Sequence, residues 1–350
     1  MSTTHLHRRP RLSAVAFGLA VVVGVCVVSS RSAVGEAPGV LDAHRNRVVA
    51  EVPAGTMTQV EAEIGQGPVL SGPAPGSSTT VTIDSGGRSR QAIVSVPVDY
   101  SPGSPVPVLL AYPGYQQTAS EMQKFAALDD MPAVVVYMQG VQDAWEGAPY
   151  AVTSDGEDLQ FTRDMLAALN STYNIDRSRI YATGMSNGGG FAAKLACRMP
   201  DVFAAVASVS AAYYPGTGGD CVTPSTSFLD IHGVQDSTIA YEGGSRHGET
   251  YQSARGRTEE MAERDGCSLD PVTTALADDV RRMQWTMCSG DRDVVHLRVE
   301  DGGHTWPGDD TGASGGADGP ASDAAEATSF SLDASTEVWA FVSAHRLAAR

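Results

Sequence analysis

The chain has 350 residues, 42% of them hydrophobic, enough to bury a large core as one α/β domain or two small ones. Lys and Arg number 24 against 41 Asp and Glu, a formal net charge of −17, which argues against nucleic acid or an anionic membrane as partner. Charge of that sign and size suits a protein that must stay soluble outside the cell.

Arg8, Arg9 and Arg11 precede an uncharged run over residues 12–30, the pattern of a signal peptide. Residues 1–35 are therefore expected to direct export and to be cleaved off between residues 30 and 35. A retained membrane anchor is the competing reading, but the run is short for a span with proper flanks and no stable membrane insertion is expected. Loss of the segment removes four of the 24 basic residues and no acidic one, leaving 20 against 41. It also leaves four cysteines, Cys197, Cys221, Cys267 and Cys288. An even number in an oxidising compartment implies two disulfides, and of the three pairings sequence proximity favours Cys197 with Cys221 and Cys267 with Cys288. A zinc site would need a C-x-x-C pair or nearby histidine spacing, and neither occurs, so no metal is expected.

Residues 36–77 are rich in Pro, Gly, Ala and Ser and read as a poorly ordered leader to a single catalytic domain over 78–350. Segments 79–83 and 90–96, separated by a Gly-rich turn, form a hairpin pattern. The apolar runs 107–112 and 133–137 read as central parallel strands covered on both faces. Over 154–173 Leu159, Leu166, Leu169 and Tyr173 recur on one helical face, with Ser154 and Glu157 as a capping box. A strand near Ile180, a helix over 187–199, strands over 204–210 and 227–233, a helix near 250–264, a strand near 294–299 and a closing helix over 336–345 follow. Strands alternating with helices imply a doubly wound, mainly parallel sheet. The acidic tract 309–325 reads as a solvated loop in preference to a calcium site.

Within that order, Gly184-Met185-Ser186-Asn187-Gly188 follows a strand and opens a helix, the setting of a G-x-S-x-G nucleophile elbow. A serine hydroxyl needs a base to take its proton and a third group to orient that base. Five histidines lie downstream: His232, His247, His296, His304 and His345. Only His304 sits in a loop directly after a strand, so it is the leading base and His247 the second. Asp236, past the end of the 227–233 strand, is preferred as the acid over mid-strand Asp230, with His232 in a structural role beside it. The backbone N–H groups of Asn187 and Tyr115 are the candidate oxyanion-hole donors.

With these residues the chain resembles the secreted esterases that include polyhydroxybutyrate depolymerases and the feruloyl and acetylxylan esterases of carbohydrate esterase family one. The likeness rests on Asp176-Arg177-Ser178-Arg179-Ile180-Tyr181 leading into the elbow, on Leu195-Ala196-Cys197, on His232-Gly233 with Asp236, and on Gly302-Gly303-His304-Thr305-Trp306-Pro307-Gly308. It implies an α/β-hydrolase fold, cofactor-free extracellular hydrolysis of carboxylic esters, the triad Ser186, Asp236 and His304, and pairing of Cys267 with Cys288. The implied partner is an ester substrate, with a polyester or a plant polysaccharide ester among the candidates. Trp145 and Trp306 are candidate substrate contacts. Two departures stand out: Pro113 occupies the usual histidine position of the oxyanion loop, and Glu146 follows Trp145 where the family carries Asn. Rival readings are an acyltransferase acting on cell-envelope sugars and a catalytically silent binding protein on the same fold.

Overall fold

The computed structural model describes residues 67–219, 221–314 and 326–348. The chain divides into two units, Met1–Val52 and Pro53–Arg350, and every described residue belongs to the second. The expected signal segment and residues 36–66 of the expected leader lie outside the described residues.

Among the described residues twelve strands and five α-helices follow one another as β1 (Ser77–Ser85), β2 (Arg88–Val96), β3 (Val106–Tyr112), α1 (Ala119–Ala126), β4 (Val134–Met138), α2 (Glu157–Thr172), β5 (Ile175–Met185), α3 (Ser186–Arg198), β6 (Ala205–Val209), β7 (Ser227–Gly233), β8 (Gly244–Arg246), β9 (Glu249–Tyr251), α4 (Ala254–Arg264), β10 (Val272–Ala275), β11 (Val280–Trp285), β12 (Val294–Val299) and α5 (Ala334–Ser343). Ten strands form one sheet in the order β1-β2-β4-β3-β5-β6-β7-β12-β11-β10. The six from β4 to β12 run parallel, and antiparallel pairs close both edges.

The continuous apolar runs occupy the middle of this sheet because both of its faces are covered. In β3, Val108, Leu110 and Tyr112 enter the core shared with α2 and α3, while Leu109 and Ala111 enter the core shared with α1 and α5. That two-residue alternation between two helical layers is what a doubly wound α/β sheet requires. Both disulfides that proximity favours form. One ties the end of α3 to the connection before β7, and the other ties the end of α4 to the β11–β12 turn.

Three sequence expectations are corrected. The expected capping box on α2 is absent: Gly156, at φ 89°, caps the helix without a side-chain bond. A capping box sits instead on α1, between Thr118 and Glu121, a helix the apolar periodicity does not reveal. The end of the expected leader is also part of the domain. Gly67 and Leu70 donate backbone N–H groups to Ser171 Oγ (3.2 Å) and Thr172 Oγ1 (2.9 Å), and the Leu70 side chain is buried. The last helical turn of α2 thus offers hydroxyls that hold the incoming chain. Finally, α4 begins at Ala254 because the β8–β9 hairpin takes the residues before it.

Candidate active site

The site is built at the C-terminal edge of the parallel strands, where β5 turns straight into α3. Ser186 takes φ 52°, a left-handed conformation that side-chain-bearing residues adopt only under constraint. The glycines around it are obligatory. A Cβ on Gly184 would lie 2.3 Å from the Gly188 carbonyl oxygen, and one on Gly188 would lie 2.0 Å from the carbonyl oxygen of Tyr112. Ser186 is half-buried at the tip and sits at the N-terminus of α3, the end that attracts negative charge.

The neighbouring loop is fixed from below. Asn187 brackets Trp145, its Oδ1 accepting the Trp145 N–H (2.8 Å) and its Nδ2 donating to the Trp145 carbonyl (3.2 Å). The Trp145 indole N–H then donates to the Pro113 carbonyl at 2.9 Å. Gly114 comes so close to the elbow that a Cβ there would lie 3.3 Å from Ser186 Cβ. Its N–H is taken by Gln117 Oε1 at 2.8 Å. The next residue is Tyr115, whose ring stacks on Tyr150 with centroids 3.9 Å apart.

Trp145 is thus corrected as a candidate substrate contact. It is fully buried, packed against Tyr112 and Phe191, and serves as the post on which the Pro113–Gly114 turn rests. Trp306 is corrected likewise: it is buried beside Phe125, with its indole N–H held by Ser335 Oγ at 2.9 Å. Both rings are used by the scaffold. Glu146, the departure beside Trp145, is buried and paired with Lys194 at 3.0 Å, and its carboxylate accepts the Asp158 N–H at 3.0 Å. Asp158 in turn meets Arg90 at 2.7 Å, so the substitution is matched by a buried charge network.

Asp236 and His304 meet beyond the ends of β7 and β12, with His304 Nδ1 donating to Asp236 Oδ2 at 2.8 Å. The other carboxylate oxygen accepts the backbone N–H groups of Thr238 (2.9 Å) and Ile239 (2.6 Å). His232 comes within 3.2 Å of the shared Oδ2 and donates from Nε2 to the Ile239 carbonyl at 2.9 Å. Burial alone would raise the Asp236 pKa, but His304 and His232 outweigh it and hold the carboxyl well below its usual range. Its environment therefore favours the ionised carboxylate. With Nδ1 directed to that carboxylate, His304 presents Nε2 as the acceptor face of its ring.

Ser186 and His304 line one cleft together with Gly114, Tyr115, Tyr150, Tyr214 and Ile239. His247, ranked second as base, lines the same cleft from the β8–β9 turn, edge-on to Tyr150 with centroids 4.7 Å apart. Tyr150 and Tyr214 were not foreseen; they lie in connections after β4 and β6, where no periodicity marks an aromatic as pocket-facing. His296 and Asp230 are fully buried inside the sheet, and His345 is buried at the end of α5. Among the described residues no cluster of three or more His, Cys, Asp or Glu could hold a metal ion. Among them, too, no helix is long and apolar enough to cross a membrane.

A family model described as "Putative esterase" matches residues 83–304, more than half of the chain. The chain belongs to the esterase family. Feruloyl esterase B of Piromyces equi is 30% identical over 233 residues, covering 61% of this chain and 42% of that protein. Feruloyl esterase D of Neurospora crassa is 25% identical over 210 residues, covering 55% of this chain and 67% of that one. The chain therefore spans less than half the length of the first relative. Among solved structures, an acetyl xylan esterase from Aspergillus awamori superposes with a TM-score of 0.50 at 16% identity, covering 65% of this chain and 94% of its own. That likeness shows the fold alone, an α/β-hydrolase fold.

Proposed function

We propose that the protein is a secreted serine esterase that hydrolyses feruloyl, acetyl or related carboxylic esters. The observation that carries this reading is the charge-assisted Asp236–His304 hydrogen bond opening onto a cleft shared with Ser186 at a strained elbow. Ser186 Oγ attacks the ester carbonyl while His304 Nε2 takes its proton. The N–H groups of Asn187 and Tyr115 receive the oxyanion, and the buried Asp236 carboxylate stabilises the imidazolium. His304 returns the proton to the leaving alcohol. Water, deprotonated by the same imidazole, then releases the acid from the acyl-enzyme. The Tyr115, Tyr150 and Tyr214 rings give the cleft an aromatic wall against which a planar acyl group packs.

The two disulfides agree with an oxidising compartment and with export by residues 1–35. The test is hydrolysis of short p-nitrophenyl esters and of methyl ferulate by the purified protein beside Ser186→Ala. Turnover is expected to fall by about 10⁴-fold or more in the variant. Equal rates in the two would remove the esterase reading.

A further inference from the structure

One carboxylate outside the proposed triad touches both loops that carry its acid and its base. Glu326 follows the acidic tract and is not singled out by any motif. Its Oε1 accepts the Ser237 backbone N–H (3.2 Å), the Ser237 hydroxyl and the Thr238 hydroxyl (3.2 Å). Its Oε2 accepts the backbone N–H of His304 at 3.1 Å. Ser237 and Thr238 form the turn that also wraps Asp236, since the Thr238 N–H donates to Asp236 Oδ1.

The approach is close enough to dictate sequence on the other side. A Cβ on Gly303 would lie 2.3 Å from Glu326 Oε2 and 3.0 Å from Glu326 Cβ. The strand of chain after Glu326 adds a further tie, the Gly303 N–H donating to the Ala327 carbonyl at 2.8 Å. These two loops leave β7 and β12 separately; near the strand ends the Gln235 N–H donates to the Gly302 carbonyl at 2.9 Å, and farther out Glu326 and the Asp236–His304 bond join them.

We infer that Glu326 is a positioning residue that clamps the Asp236 loop to the His304 loop and so holds the Asp236–His304 hydrogen bond in working geometry. The inference rests on the esterase reading for its catalytic consequence, but not for its geometry. Glu326 reaches the reaction only through other residues. Its two oxygens are divided between the loops, so neither a neutral amide nor a shorter acid replaces it: Gln retains one acceptor and turns the other end into a donor, which can hold one loop and not both. A displacement of about 1 Å at a catalytic group costs on the order of 100-fold in rate.

The experiment compares wild type, Glu326→Ala and Glu326→Gln in the full chain. The first readout is the far-downfield proton resonance of His304 Nδ1–H in solution NMR, which reports the Asp236 bond whether or not an ester turns over. It is expected to be sharp in wild type and broadened or lost in both variants. The second is p-nitrophenyl acetate hydrolysis normalised to titrated active sites. For Glu326→Ala kcat per site is expected to fall about 10- to 100-fold with KM within about twofold, and for Glu326→Gln to fall less. A merely structural clamp would lower the number of titratable sites and leave turnover per site alone. An unaltered resonance in the variants, or unaltered kcat per site, overturns the inference. Should the alanine variant fail to accumulate, the glutamine variant decides the same question. If wild type hydrolyses no ester, the esterase reading falls while the resonance still judges the clamp.

Discussion

β7 and β12 carry two Asp–His pairs that look alike at the point of contact and differ at every other. Asp230 and His296 are register partners within the sheet, while Asp236 and His304 lie just beyond the ends of the same strands. In each pair a histidine Nδ1 meets a carboxylate oxygen at 2.8 Å. Around the inner pair everything is closed: Tyr213 donates to the second oxygen of Asp230, and the Tyr241 hydroxyl meets His296 Nε2 at 2.8 Å. Around the outer pair the second carboxylate oxygen is satisfied by backbone and His232 approaches the first, but the imidazole's far side borders the cleft with Ser186. In the proposed mechanism the same two side chains thus become scaffold or reagent according to whether one nitrogen is left for a ligand. Position on the strand decides which, because hydrogen-bonding neighbours surround a mid-strand residue and run out at the strand's end.

The comparison is broken most directly by removing each imidazole in turn. His304→Gln is expected to lower ester turnover by about 10⁴-fold or more and to cost less unfolding free energy than the inner substitution, since Asp236 keeps the Thr238 and Ile239 N–H groups and His232. His296→Gln is expected to do the reverse, costing about 3–5 kcal/mol by leaving the buried Asp230 charge without its partner, with turnover of the folded fraction within about threefold. Urea unfolding and ester hydrolysis on both variants read the two effects. A His296 variant that is stable but inactive would place the working pair inside the sheet.

The outer pair was legible in the sequence for a reason that also limits what else was. Ser186, Asp236 and His304 each follow a recognisable apolar run, so strand ends could be located and loop residues assigned to the sheet edge. Asp230 interrupts such a run in mid-strand and is fully buried. Contacts between loops leave no such trace. Trp145 and Trp306 are aromatics near motifs, yet burial and hydrogen bonding commit both to the scaffold, whereas Tyr150 and Tyr214 line the cleft without any sequence signal. Glu326 is a single acidic residue beside many, distinguished only by which two loops the fold brings to it. Ser154 and Glu157 have capping-box spacing, yet Gly156 takes a φ of 89° that starts α2 without help from a hydroxyl, and the box forms between Thr118 and Glu121 on α1.

A third buried carboxylate sharpens the rule by lacking an imidazole altogether. Asp265 accepts the N–H and hydroxyl of Ser225 at 2.7 and 2.9 Å, its nearest cation is Arg292 at 4.0 Å, and its second oxygen has no partner. Burial, outweighing the Ser225 bonds, pushes its pKa up to about 6. The native state therefore keeps a proton that the unfolded chain has lost, and stability falls as pH rises from the ordinary carboxylate range to about 6. Asp236 has the opposite sign: its depressed folded pKa contributes stability that is present above the ordinary value and lost as pH falls through the folded one. Asp265→Asn is expected to be more stable than wild type at pH 8, by up to about 3 kcal/mol, and to converge with it below about pH 4. Melting curves at the two pH values check this; an equal difference at both would mean that Asp265 is not protonated in the folded protein.

The smallest expected effect lies where the inner pair is sealed. Tyr241→Phe removes one hydroxyl and leaves the ring, which still packs on His296 with centroids 5.5 Å apart and beneath the Arg298 guanidinium. With His296 Nδ1 directed to Asp230, its Nε2 is the acceptor of the Tyr241 O–H, so the variant strands a buried acceptor and should cost about 1–2 kcal/mol in urea unfolding. Turnover should stay within about twofold, since no bond to Asp236, His304 or Ser186 is touched. Unchanged stability would mean that His296 is satisfied without Tyr241, and the line between a sealed pair and an open one would then have to be drawn at the second carboxylate oxygen, which Tyr213 closes with a side chain on Asp230 and backbone N–H groups close on Asp236.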